Sequence, residues 1–224
     1  MTTPPSSSFS LSHISHPSQD KSEGKSPGLL LLHGFGANEQ DLMGLAPYLD
    51  PRLHIISARA PIRMGFGSFA WYMIHMLPDG SFHFEPEEAL ESLRLIDVFV
   101  DEIIEAYDLD PERFFLAGFS QGAIQSCALL LLNPEKVAGV VAMSGRWPDP
   151  VEAIRVPDER LSAKPVLAVH GRHDPVIPIG FARELKKKFE ALPVHFTYQE
   201  FNMAHNISAE SLQLVREWLT EQLE

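Results

Sequence analysis

Residues 113–123 read Arg113-Phe114-Phe115-Leu116-Ala117-Gly118-Phe119-Ser120-Gln121-Gly122-Ala123, and the change of pattern inside this stretch decides the fold. The run up to Phe119 is apolar and strand-like. From Ala123 to Leu132 the chain suits a buried helix. A serine between Gly118 and Gly122 at a strand-to-helix turn is the pattern of a nucleophile elbow. Such a turn is sharp enough to strain the serine backbone, and side chains at 118 and 122 would collide with it. Ser120 Oγ would then stand clear of the sheet, at the positive end of the following helix, where it can attack a carbonyl carbon.

Outward from the elbow the chain alternates between strand and helix. Gly28 to Leu32 is a short continuous apolar run, as in a strand buried on both faces. Further strands are expected at 53–56, 137–143, 165–170 and 194–198. Helices are expected at 39–49, 86–107, 181–192 and 208–223. In the helix at 86–107, proline sits in the first turn with Glu85, Glu87 and Glu88 at its positive end. Leu93, Ile96, Val100, Ile103 and Tyr107 mark its core face. This alternation calls for an α/β fold, a mostly parallel central sheet with helices on both faces. Reactive groups are then expected at the carboxyl ends of the strands. The first 27 residues, rich in Ser and Pro, are expected to form an edge strand over 8–15 and an exposed loop over 17–27. Residues 28–224 are expected to form one catalytic domain.

The chain has 224 residues, a formal net charge of -12, 45% hydrophobic and 21% charged residues. That is ordinary for a globular domain with a sizeable core. The negative charge argues against nucleic acid or an anionic membrane surface as a main partner. The lone cysteine, Cys127, falls in the apolar helix and is expected to fill core. No apolar run approaches the ~20 residues of a membrane span. The N-terminus does not read as a secretory signal, which leaves a cytoplasmic location by default. No cofactor is expected, and no metal: there is no cysteine set or His-Glu-x-x-His helix, and no phosphate loop. The oligomeric state stays open, a dimer included.

A serine hydroxyl needs a base, and the base, usually histidine, needs a carboxylate. In this class of fold the chain order is serine, acid, histidine. Asp174 lies just past the strand at 165–170, in a loop restrained by Pro175 and Pro178. His205 lies past the last strand and ahead of the last helix. Competing acids are Asp149, Asp158 and Glu200, and competing histidines are His170, His173 and His195. The oxyanion donors are expected to be the backbone N–H of Gln121 and of Phe35, the latter between Gly34 and Gly36.

Four blocks together carry a resemblance. Leu32-His33-Gly34-Phe35-Gly36, Gly118 to Ala123, His170 to Pro178 and Met203-Ala204-His205 resemble the signature blocks of the phospholipase/carboxylesterase family, the acyl-protein thioesterase-like branch of α/β-hydrolases. The resemblance spans about residues 28–223. It implies an α/β-hydrolase fold with Ser120 as nucleophile, Asp174 as acid, His205 as base, and Phe35 and Gln121 as oxyanion donors. Two departures stand out. Ala204 replaces the glycine usual before the histidine. Trp71-Tyr72-Met73 stands where relatives tend to have Trp-Phe-Asp, which bears on substrate preference.

Residues 60–86 show no clear element but hold Met64, Phe66, Phe69, Trp71, Tyr72, Met73, Met76, Phe82 and Phe84. They are expected to form a small cover beside the elbow, with glycines and proline that allow it to move. Trp71, Phe69 and Met73, with Ile177 and Met203, are the expected substrate pocket, suited to an acyl chain or aromatic ester. The expected function is a serine hydrolase of carboxylic esters, thioesters included, acting on a small-molecule ester through an acyl-enzyme. Within that chemistry an acyl-protein thioesterase, lysophospholipase, lipase or peptidase is an alternative. From another class, a hydrolase-fold receptor with slow turnover or none is also open.

Overall fold

The computed structural model describes residues 9–20, 24–76 and 82–224. Its strands are β1 His13–His16, β2 Ser26–Leu32, β3 His54–Ala58, β4 Ile62–Gly65, β5 Ser68–Ala70, β6 His75–Met76, β7 Phe82–His83, β8 Leu109–Phe119, β9 Gly139–Met143, β10 Pro165–Gly171 and β11 His195–Phe201. Its α-helices are α1 Glu39–Met43, α2 Pro86–Ala106, α3 Gln121–Leu132, α4 Ile179–Glu190 and α5 Ala209–Glu221.

Among the described residues, seven strands form one sheet in the order β1-β3-β2-β8-β9-β10-β11. All neighbours are parallel except β1, which runs antiparallel to β3 at the edge, with His13 opposite Ala58. The N-terminal strand thus extends the sheet at its edge, over His13–His16. Ser8 of that expected strand lies outside the described residues, as do residues 1–7, 21–23 and 77–81.

The period of two in the strands divides the core. Leu30, Leu32, Phe114, Leu116, Val140 and Ala142 face a layer built from α2, α3 and α4. Leu29, Leu31, Phe115, Ala117, Val141 and Met143 face the other layer, built from α1 and α5. Both sets are almost wholly buried, which is why these strands read as unbroken apolar runs. In α2 the expected face is the buried one: Leu93, Ile96, Val100 and Ile103 have no more than 3% exposure.

Two expectations need correction. The helix expected over 39–49 is broken. Asn38 caps α1 by accepting from the Gln40 N–H at 2.9 Å, and a 3-10 turn takes over at Ala46–Tyr48 around Pro47, which has no N–H to donate. Residues 60–86 do contain regular structure, in two small antiparallel hairpins, β4 with β5 and β6 with β7. The first turns at Gly65, Phe66 and Gly67, all with positive φ (107°, 47° and 82°), so the turn is made by backbone conformation rather than by hydrophobic alternation.

Candidate active site

Ser120 lies between the last residue of β8 and the first of α3, with φ 54° and ψ -116°. That is strained for a non-glycine residue. Its N–H donates to the Met143 carbonyl at 2.9 Å, which fixes the turn to the end of β9. The flanking glycines are required by space. A Cβ on Gly118 would come 2.1 Å from the Gly122 carbonyl oxygen, and one on Gly122 would come 1.9 Å from the Leu32 carbonyl oxygen of β2. The second clash is with the neighbouring strand, so Gly122 sets how closely α3 lies on the sheet. Ser120 keeps 8% exposure, and its Oγ makes no hydrogen bond among the described residues.

Asp174 lies in the loop after β10 with its side chain fully covered. Its Oδ1 accepts the N–H groups of Val176 and Ile177, each at 2.8 Å. Its Oδ2 is 2.7 Å from His205 Nδ1. Nδ1 of His205 is thereby the donor and Nε2 is left as the basic nitrogen. The His205 ring packs at 4.8 Å from the ring of Phe119, the residue before Ser120. The two loops are laced together by the N–H of Arg172 donating to Phe201 O and that of His173 to Met203 O. Gly171 permits this approach, since a Cβ there would meet the Ala204 carbonyl at 2.2 Å.

The loop after β2 comes close on the other side. A Cβ on Gly34 would lie 3.3 Å from Ser120 Cβ. The Phe35 N–H and the Gln121 N–H have no acceptor among the described residues. Two idle donors beside a strained serine form an arrangement that can receive a developing oxyanion. Nothing here resembles a metal cage: no group of three or more His, Cys, Asp or Glu side chains suited to a metal occurs among the described residues.

Three groups missed in the sequence reading hold these parts. His33 is fully buried. Its Nδ1 donates to Gly34 O at 2.7 Å, and its Nε2 accepts the Ala60 N–H at 3.1 Å. Burial pushes its pKa down, in keeping with this neutral tautomer. The Gln121 side chain accepts from the Trp71 N–H at 3.1 Å and donates to the Tyr72 carbonyl at 2.7 Å, tying the hairpin segment to the elbow. His170 sits behind Asp174, with Nε2 3.4 Å from Oδ2 and 2.8 Å from the Ile177 carbonyl. A buried histidine beside glycines was the visible signal for His33. The Gln121 contacts link residues far apart in sequence and leave no local pattern, and those of His170 depend on how its loop turns back.

Glu200, Asp158, His173 and His195 are engaged or placed elsewhere. Glu200 pairs with Arg183 at 2.8 Å, and this pairing holds its carboxyl down at about 2. Asp158 pairs with Arg155, and His173 binds Asn202 on the surface at 2.8 Å. His195 starts β11, at the opposite end of the sheet.

The expected pocket residues divide. Trp71 has no exposure. Its indole N–H donates to the His33 carbonyl at 2.9 Å, so it belongs to the packing beneath the site. Phe69 is half-buried under the Arg59 guanidinium at 4.9 Å. The Met73 N–H donates to Glu88 at 2.8 Å, which sews the segment to α2. Ile177 is half-buried on the Asp174 loop, and Met203 is buried beside His205.

A profile of the family described as phospholipase/carboxylesterase matches residues 17–223. Acyl-protein thioesterase 1 of Kluyveromyces lactis is 30% identical over 210 residues, spanning 87% of this chain and 91% of that protein. Acyl-protein thioesterase 1 of Candida albicans is 26% identical over 202 residues, spanning 82% and 87%. A solved Bacillus cereus carboxylesterase superposes with a TM-score of 0.80 at 25% identity, covering 95% of this chain and 94% of that one.

Proposed function

The chain belongs to the phospholipase/carboxylesterase family of α/β-hydrolases, and it is a serine hydrolase of esters or thioesters; we propose that Ser120, Asp174 and His205 carry its chemistry. The observation that supports this assignment most is the 2.7 Å contact of Asp174 Oδ2 with His205 Nδ1, on loops that gather around the strained Ser120.

In this reading His205 Nε2 takes the proton of Ser120 Oγ as the oxygen attacks the acyl carbon. The electron pair of the carbonyl moves onto its oxygen, which accepts from the N–H groups of Phe35 and Gln121. Collapse of this intermediate breaks the ester or thioester bond, and His205 returns the proton to the departing alcohol or thiol. Water then enters by the same route, giving its proton to His205. The acid leaves and Ser120 is restored. Asp174 holds the tautomer and offsets the transient imidazolium charge. Among the described residues Ser120 Oγ and His205 make no hydrogen bond, and such contacts commonly tighten when a substrate binds. Phe69, Met73, Ile177 and Met203 are the proposed walls for the acyl group, with Trp71 supporting them from below. A cytoplasmic setting is part of the same reading.

The test is turnover of short p-nitrophenyl esters by Ser120→Ala. We expect a fall of ~10³-fold or more. A turnover equal to that of the unaltered chain would end the assignment.

A further inference from the structure

Arg146 occupies a place that acyl transfer does not use. It follows β9 after Ser144, whose φ of 52° turns the chain. This turn presses on the elbow helix, for a Cβ on Gly145 would come 2.8 Å from Ala123 Cβ. The elbow is tied to the same strand end through the Ser120 N–H and the Met143 carbonyl. Arg146 therefore leaves the sheet next to Ser120, at the end where the acid and histidine loops gather.

The guanidinium is half-buried between two aromatic rings. Its Cζ lies 5.4 Å from the ring centre of Phe84 and 5.7 Å from that of Phe181. Phe84 precedes α2 and packs at 5.0 Å against Tyr72, whose carbonyl accepts from Gln121. Phe181 opens α4, directly after the Asp174 loop. The cation thus spans the gap between the hairpin segment and the acid loop. Stacking on ring faces leaves the planar N–H fork free to bind something else. Among the described residues Arg146 has no ion pair and no hydrogen bond. The Tyr72 hydroxyl on the same Phe84 ring has no hydrogen bond either, and burial pushes its pKa up to about 12, so it remains a donor.

We propose that Arg146, with the Tyr72 hydroxyl, forms a carboxylate-recognition site that makes the hydrolase prefer esters or thioesters carrying a second, anionic carboxylate. This rests on the assignment of Ser120 as nucleophile. A carboxylate fits better than a phosphate dianion because there is one cation to meet its charge.

The test compares kcat/KM for p-nitrophenyl hydrogen glutarate with that for p-nitrophenyl pentanoate, which has the same acyl length and no charge. The anionic-to-neutral ratio should fall at least ~10-fold in Arg146→Met, through KM, and Arg146→Lys should recover part of it. The ratio is internal to each variant, so a partly unfolded sample does not alter it. Glutarate should inhibit the unaltered chain more strongly than inorganic phosphate. A ratio equal in Arg146→Met and the unaltered chain, while both esters are hydrolysed, would overturn the proposal and leave the Ser120 assignment standing. Stronger inhibition by phosphate would overturn the carboxylate assignment. No hydrolysis of either ester by the unaltered chain would overturn both readings.

Discussion

Asp174 divides its carboxylate between two tasks. Oδ1 closes a tight turn by accepting two backbone N–H groups, and Oδ2 takes the imidazole of His205. The turn aspartate before proline is thus also the proposed acid, and the turn is what aims the second oxygen at His205. The order of Ser120, Asp174 and His205 was legible in the sequence because each follows a strand and precedes a helix or a helix-bound loop. The Phe35 position was legible from its paired glycines. The supporting roles of the Gln121 side chain and His170 were not. The first spans 50 residues to Trp71, and the second depends on a loop that turns back so that Asp174 and Ile177 meet the ring. Trp71 was read as pocket because an aromatic side chain near a serine suggests substrate. Its burial and its indole bond to His33 O make it packing instead.

At the level of elements, the elbow depends on how closely α3 can lie on β2. Gly122 touches the Leu32 carbonyl with no space for a methyl group. We expect Gly122→Ala to lift the start of α3 and cost about 3 kcal/mol in urea unfolding, with Ser120 displaced and ester turnover lost. A variant with unaltered stability and turnover would show that the contact is looser than described. Strands buried on both faces and helices with a clear apolar stripe were legible, because burial writes a period into the sequence. The hairpins at 62–83 were not. They are short, the turn of the first relies on positive φ, and the apolar residues of this segment serve packing and exposure alike: Trp71 is wholly buried while Phe66 is fully exposed. The extension of β8 back to Leu109 was also hidden, because Pro111 and the charged residues after it occupy an irregularity in the pairing with β2.

For the whole molecule, the sheet separates two helical layers, and the proposed reactive groups collect at one end of it. No helix among the described residues is long and apolar enough to cross a membrane. The chain also buries several histidines in neutral form. Burial lowers the pKa of His13, His33 and His170, and brings His54 down to about 4 from an ordinary 6.5. The unfolded chain therefore binds more protons than the folded one between those values. Stability is full above about pH 6.5 and falls as the pH drops toward 4. Urea midpoints should decline from pH 7 to about 5, above the main carboxylate range, and His54→Leu should flatten the decline. An unchanged midpoint across that window would contradict the burial of these groups in neutral form.

The central claim is that the fold makes one hydroxyl among many reactive. The most direct measurement is labelling of the intact chain with a fluorophosphonate, followed by peptide mass spectrometry, alongside a folded His205→Ala variant. The account predicts a single adduct on Ser120, formed at least ~100-fold more slowly in the variant. An unlabelled Ser120 in the folded chain, or equal labelling without the imidazole, would contradict it.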